Sequence, residues 1–293
     1  MEAIWIISTG TMIAIACGLL GCYLILRKMA MVGDAISHAV LPGIVIAFLV
    51  SGSRSTLPML IGAAALGVLT TILIEIFYKK ARLQMDASIG ITFTWLFAIG
   101  IILISLFAGQ VDLDQDCVLY GEIAYIPLDL WITNNGYNLG PTAMWICGGL
   151  LVFIVGFILI GYKGLLMTTF NEDYAKAIGI NVALWHYSLM GSVSLTTVIS
   201  FESVAAILVV AFLIVPPATA YLLTTKLKQM LWLTALFGML SAIGGYFLAV
   251  LINGSIAAAM ATVAGGLFTV VWGITILQKR WFSRHHLPLE FHS

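Results

Sequence analysis

The sequence predicts an all-α integral membrane protein, a polytopic bundle of eight or nine transmembrane helices with one short cytoplasmic helix. Three observations lead there. Of 293 residues, 61% are hydrophobic and only 9% are charged, whereas about a quarter of the residues of a soluble domain are charged. The mean hydropathy is +1.09. The apolar residues fall into separate runs long enough to cross about 30 Å of hydrocarbon as helices. No polar block could form a separate soluble domain of ~100 residues, so residues 1–279 read as one membrane domain and 280–293 as a cytoplasmic tail.

Seven spans are clear: 3–26, 57–77, 89–107, 143–162, 204–223, 230–251 and 255–277. Two further segments, 35–50 and 184–199, are shorter and more polar, and are either spans shielded by neighbours or re-entrant segments. The basic residues favour crossing by both. With nine spans, Arg27, Lys28, Lys79, Lys80, Arg82, Lys163, Lys176, Lys226, Lys228, Lys279, Arg280 and Arg284 fall on one side, and Arg54 alone on the other. Cytoplasmic loops carry the excess of Lys and Arg, so the C-terminus is expected in the cytoplasm and the N-terminus outside. Nine crossings are expected, with eight as the alternative.

The outer side then holds Glu2, Asp112, Asp114, Asp116, Glu122, Asp129 and Glu202. Such a face attracts cations, although the positive-inside bias alone also leaves acids outside. Asn134, Asn135, Gly136, Gly140 and Pro141 mark a turn-rich outer connection between the fourth and fifth spans, where a partner can dock. On the inner side, 168–182 reads TTFNEDYAKAIGINV. Asn171 suits an N-cap, Glu172 and Asp173 a first turn, and Gly179 a C-terminus. That segment is a short helix, either docking a partner or lying at the interface.

Two spans look unusual. Pro216 and Pro217 fall inside 204–223 and suggest a hinge or a helix end lining a pathway. Ser192, Ser194, Thr196 and Thr197 make 184–199 polar, which fits a wet or protein-buried position rather than lipid contact. The cysteines Cys17, Cys22, Cys117 and Cys147 show no metal-binding or disulfide spacing and read as small buried hydrophobes. Leu19 to Cys22 looks like a lipoprotein cleavage box, but Arg27 and Lys28 follow the apolar run instead of preceding it, so processing there is not expected.

The chemistry concentrates in MVGDAISHAVLPG at 31–43, where Asp34 and His38 stand at the start of an apolar segment beside the inner face. Ionisable groups in spans are functional candidates by default. Four residues apart, the two share a helix face, and carboxylate plus imidazole is a donor set for divalent transition metals. Pro42 removes the helical partner of the His38 carbonyl and should kink the helix. The competing reading is structural: Asp34 caps the helix and His38 bonds a neighbouring helix. Two ligands do not complete a site, but a two-fold dimer would supply four. Further cation contacts are candidates at Asp112, Asp114 and Asp116, or at Glu202 near an entrance; the bland alternatives are a solvated acidic loop and a helix end. The nucleotide-binding pattern GxxxxGK[ST] does not occur, so any nucleotide energy is expected from another subunit.

GDAISHAVLPG at 33–43, NEDYAKAIGINV at 171–182 and AAILVVAFLIVPPATA at 205–220 together resemble the permease subunits of the ATP-binding-cassette importers for zinc, manganese and iron, the family-3 metal permeases. The resemblance covers nearly the whole chain. It implies a permease homodimer, two cytoplasmic ATP-binding subunits coupled through Asn171, Glu172, Asp173, Ala177 and Gly179, and an extracytoplasmic solute-binding protein that delivers the metal. It implies no catalysis by this chain and no cofactor beyond the transported ion. VDLDQDCVLYGEI at 111–123 is closer to the manganese and iron members than to the zinc members, so Mn²⁺ is expected first, with Zn²⁺ or Fe²⁺ as alternatives. Eight spans are commonly drawn for the family, against the nine favoured by charge.

Two other functions remain to be weighed. A stand-alone ion-coupled carrier more often shows paired broken helices from inverted repeats, and DAISHAVLPG has no second copy. An intramembrane metalloenzyme needs about three protein ligands with a spacing such as HExxH, which is missing. The tail RWFSRHHLPLEFHS at 280–293 holds three of the five histidines. It is expected to be a disordered basic end rather than a metal sensor.

Overall fold

Long apolar runs in hydrocarbon must satisfy every backbone N–H and C=O internally, so they fold as helices. The computed structural model describes residues 2–52, 56–107, 123–128, 130–132, 138–204 and 206–285. Its helices are α1 Glu2–Leu26, α2 Val32–Ser51, α3 Thr56–Lys80, α4 Met85–Phe107, α5 Thr142–Phe170, α6 Glu172–Ala177, α7 Val182–Ser203, α8 Ala206–Leu223, α9 Leu227–Ile252 and α10 Ile256–His285. Among the described residues, nine are long and apolar enough to cross a membrane, and α6 is the short exception. The two doubtful segments are thus full helices, α2 and α7, rather than re-entrant stubs. Their surroundings explain the low hydropathy: half of the α2 span is buried within the protein, and Ser192, Ser194, Thr196 and Thr197 of α7 are all buried. Polar side chains shielded by other helices do not meet lipid.

The outward surface is apolar, with Ile160 90%, Val50 83% and Leu251 80% exposed. Such a surface is an aggregation hazard in water but matches hydrocarbon. The chain is a multi-pass membrane protein. Helix α1 is its hub, fully buried at Ile13, Cys17, Leu20, Tyr23 and Leu24 and packed on α5, α7, α8 and α9. On one side α2 lies between α3 and α4, and on the other α10 covers α8 and α9.

Small residues set the crossings, because apolar side chains gain little by leaving lipid for protein and close backbone approach supplies the attraction. At the crossing of α2 and α3, a Cβ at Gly43 would lie 2.5 Å from the Gly62 carbonyl oxygen, and one at Gly62 equally near that of Gly43. Of the two expectations for Pro216 and Pro217, a hinge or a helix end, the helix end does not occur, for α8 continues through both to Leu223. Each removes the helical partner of the carbonyl four residues earlier, Phe212 or Leu213. Helix α1 presents Gly18 towards the Phe212 oxygen and Gly21 directly against the Leu213 oxygen and the Pro217 ring. The close approach of Gly21 thus covers the Leu213 carbonyl that Pro217 leaves without its helical partner.

Helix α5 runs through Lys163 to Phe170, beyond the expected end at 162, and α10 similarly reaches His285. Hydropathy marks where hydrocarbon ends, whereas helical hydrogen bonding continues into the headgroup region. Between α4 and α5 the described residues include a 3₁₀ turn, Ile123–Leu128, and an antiparallel pair, β1 Leu130–Ile132 with β2 Asn138–Pro141. Turn signals alone did not anticipate these strands. The thiols of Cys17, Cys22 and Cys147 are buried against hydroxyls of Ser200, Thr234 and Ser203 respectively.

Candidate metal pathway and coupling face

Helix α2 begins after Met31, which makes no side-chain capping bond. Asp34 is therefore not the N-cap, and its carboxylate lies in the first turn, where the helix dipole favours negative charge. One turn on, His38 Nε2 stands 3.6 Å from Asp34 Oδ1. That exceeds a good hydrogen bond, so the carboxylate and the imidazole are neighbours on one helix face without a close bond between them. The flanking Val32, Gly33, Ala35, Ile36, Ala39 and Val40 are buried, yet the side chains of His38 and Asp34 are 40% and 28% exposed. The pair thus occupies the one face of this stretch of α2 that the protomer leaves open.

Helix α4 shapes the edge of that face. The His38 ring lies 5.8 Å from Phe93 and 5.7 Å from Phe97, centroid to centroid. Ser37 Oγ donates to the Gly33 carbonyl at 2.9 Å, so it serves its own helix rather than the pair. Pro42 lies inside a continuous α2, packed so closely on Gly100 that a Cβ there would be 2.9 Å from Pro42 Cδ. Among the described residues no three His, Cys, Asp or Glu side chains gather into a metal-holding group. One chain contributes two side-chain donors. Glu202 falls in the last turn of α7, while Asp112, Asp114 and Asp116 lie outside the described residues, as does most of the connection between α4 and α5 and the tail beyond His285.

The segment 168–182 folds as its residues dictate. Asn171 caps α6, its Oδ1 accepting from the Tyr174 N–H at 2.9 Å, and Glu172 and Asp173 fill the first turn. Gly179 adopts φ +82°, its N–H bonding the Lys176 carbonyl at 3.0 Å while the Ile180 N–H bonds that of Ala175 at 2.9 Å. This paired closure with a left-handed glycine is a Schellman end. Only Ala175 of α6 is buried; Ala177 is exposed, and Tyr174 and Ile178 are 55% and 47% exposed. Helix α6 is capped at both ends and carries exposed apolar side chains at Tyr174 and, just past its end, Ile178.

Behind it lies a polar network that pattern reading missed. Arg27, just past α1, reaches Thr168, Thr169 and His186, and partial burial holds its guanidinium below the usual range, opposed by the nearby Glu172 carboxylate. Glu75 of α3 pairs with Lys79 and accepts from the Tyr187 hydroxyl of α7. The Glu75–Lys79 spacing was a visible signal; the interhelical partners were not. A separate groove of about 460 Å³ between α5 and α7, lined by residues such as Phe157, Ile160 and Trp185, is apolar apart from Ser188 and contains neither Asp34 nor His38.

The fold defines a polytopic membrane-spanning protein. The family model described as ABC 3 transport family matches residues 2–274, and the chain belongs to that family. It is 51% identical to the manganese transport system membrane protein MntD of Bacillus subtilis, over 89% of this chain and 88% of that protein. It is 40% identical to the zinc transport system membrane protein TroD of Treponema pallidum, over 91% of this chain and 72% of the other. Among solved structures it is similar to PsaBC from Streptococcus pneumoniae in complex with Fab, at 35% identity and TM-score 0.74, covering 92% of this chain and 90% of that one.

Proposed function

We propose that this chain is the permease subunit of an ATP-binding-cassette importer that moves a divalent transition metal, Mn²⁺ in first place and Zn²⁺ or Fe²⁺ otherwise, into the cytoplasm. The observation that carries it is the Asp34 and His38 pair, partly exposed on an otherwise buried stretch of α2. Carboxylate with imidazole suits a borderline divalent cation, and the manganese transport name of the 51% identical relative supports Mn²⁺. Two donors per chain, with no third beside them among the described residues, support a two-fold homodimer in which four converge. The acidic outer loop serves as an entry route, with Asp112, Asp114, Asp116 and Glu202 drawing in cations released by an extracytoplasmic binding protein.

Cytoplasmic ATP-binding subunits supply the energy, and this chain hydrolyses nothing itself. They contact α6, whose exposed Tyr174 and Ile178 provide apolar area between the charges of Glu172, Asp173 and Lys176. The N-terminus lies outside and the C-terminus in the cytoplasm, as the distribution of Lys and Arg requires. Reconstitution into vesicles tests this reading. Mn²⁺ uptake is expected only when the ATPase and MgATP are present on the cytoplasmic face; uptake by the permease alone, driven by an ion gradient, would instead establish a stand-alone carrier.

A further inference from the structure

Arg27 follows the last residue of α1 and belongs to the short turn that leads into α2. Its guanidinium engages three residues at once. Nε donates to Thr169 Oγ1 at 3.1 Å, Nη2 donates to Thr168 Oγ1 at 2.9 Å, and Nη1 lies 3.2 Å from His186 Nδ1. Thr168 and Thr169 close α5 immediately before the α6 cap, and His186 lies in the first turns of α7 just after α6. One side chain therefore holds both roots of α6.

The turn that carries Arg27 is itself tightly bonded. The Arg27 N–H bonds the Tyr23 carbonyl at 3.0 Å, Lys28 that of Ile25 at 3.0 Å, Met29 that of Leu24 at 2.8 Å, and Val32 that of Met29 at 3.1 Å. Lys28 takes the left-handed φ of 57°, and Met29 is buried. A displacement of the α6 roots thus meets no slack before the start of α2, where Asp34 and His38 stand. Three neighbours on two helices require a planar, multiply donating head, which Arg supplies and Lys does not.

We propose that Arg27 is the positioning residue that carries movement of α6 to α2, so that the nucleotide cycle opens and closes the Asp34 and His38 face. The inference rests on the assignment of α6 as the ATPase contact. In the complete transporter in lipid vesicles, Mn²⁺ uptake and ATP hydrolysis are measured on the same preparation for wild type, Arg27→Lys and Arg27→Ala. The expected result is hydrolysis near the wild-type rate in Arg27→Ala with uptake per ATP reduced about tenfold, within the usual span of coupling between sites, and a partial loss in Arg27→Lys. A reporter attached at Lys176→Cys should respond to ATP in both wild type and Arg27→Ala, whereas one at the exposed Met31→Cys should respond only with Arg27 intact.

Wild-type uptake per ATP in Arg27→Ala, or a Met31 response that survives without the guanidinium, overturns the proposal. So does a proportional fall of hydrolysis and uptake, which marks a merely structural role. Where Arg27→Ala does not assemble, the double variant Thr168→Val with Thr169→Val, which keeps the charge but removes two acceptors, is judged by the same outcomes. A Lys176 reporter that is silent to ATP in wild type overturns the assignment of α6 and the inference with it, whereas a Lys176 response with an unchanged Met31 response in Arg27→Ala removes the inference alone.

Discussion

Asp34 and His38 show how a conduit differs from a storage site. A site that holds its ion too strongly cannot release it, and in the proposed homodimer two donors set 3.6 Å apart on one helix would supply only half of a cation's side-chain ligands from each chain. Opposed pairs would then be complete only while the two chains present them to one another. Asp34→Asn preserves volume but removes the charge, and His38→Ala removes the imidazole. Each should reduce metal uptake at least about tenfold, in line with the weight of groups that hold or orient a bound metal, while leaving the ATPase bound. Wild-type uptake in both assembled variants would identify the pair as interhelical glue. The spacing of these two residues was legible in the sequence because both lie on one helix. Phe93 and Phe97 were not, since their contact with His38 exists only once α4 has packed on α2.

The signals that set the ends of α6 are local. Its cap, first-turn acids and terminal glycine act within a dozen residues, and Asn171 and Gly179 take the expected places. Loss of such a cap costs about 1 kcal/mol. Ala177 is exposed, so Ala177→Trp should leave the permease folded but uncouple ATP hydrolysis from uptake or prevent recovery of the ATPase with the permease; Gly179→Val adds strain at a positive φ and should do the same. Normal recovery and normal uptake per ATP in both variants would exclude α6 as the contact. Helix α8 is the opposite case. The lost hydrogen bonds of Pro216 and Pro217 are local and visible, but the glycines that shield the exposed carbonyls belong to α1, far away in the chain. A proline rule applied to α8 alone predicts a break that tertiary packing prevents.

For the molecule as a whole, the number of spans turns on α2 and α7, whose polarity is explained by burial rather than by short length. The distribution of Lys and Arg supports the proposed direction, which a labelling experiment checks: in a cysteine-free background, an impermeant thiol reagent should label position 136 and spare position 176 in intact cells. Labelling at 176 would invert the orientation. The crossing of α1 with α8 adds a constraint on how the protein is made. Unpaired carbonyls in hydrocarbon cost several kcal/mol each, so α8 entering the bilayer alone carries two such oxygens until Gly18 and Gly21 reach them. Helix α1, made well before α8, must therefore keep its glycine face free until α8 arrives. Early association of α1 with a neighbour that covers its glycine face would leave the Leu213 carbonyl of α8 without the close cover that Gly21 gives it in the folded chain.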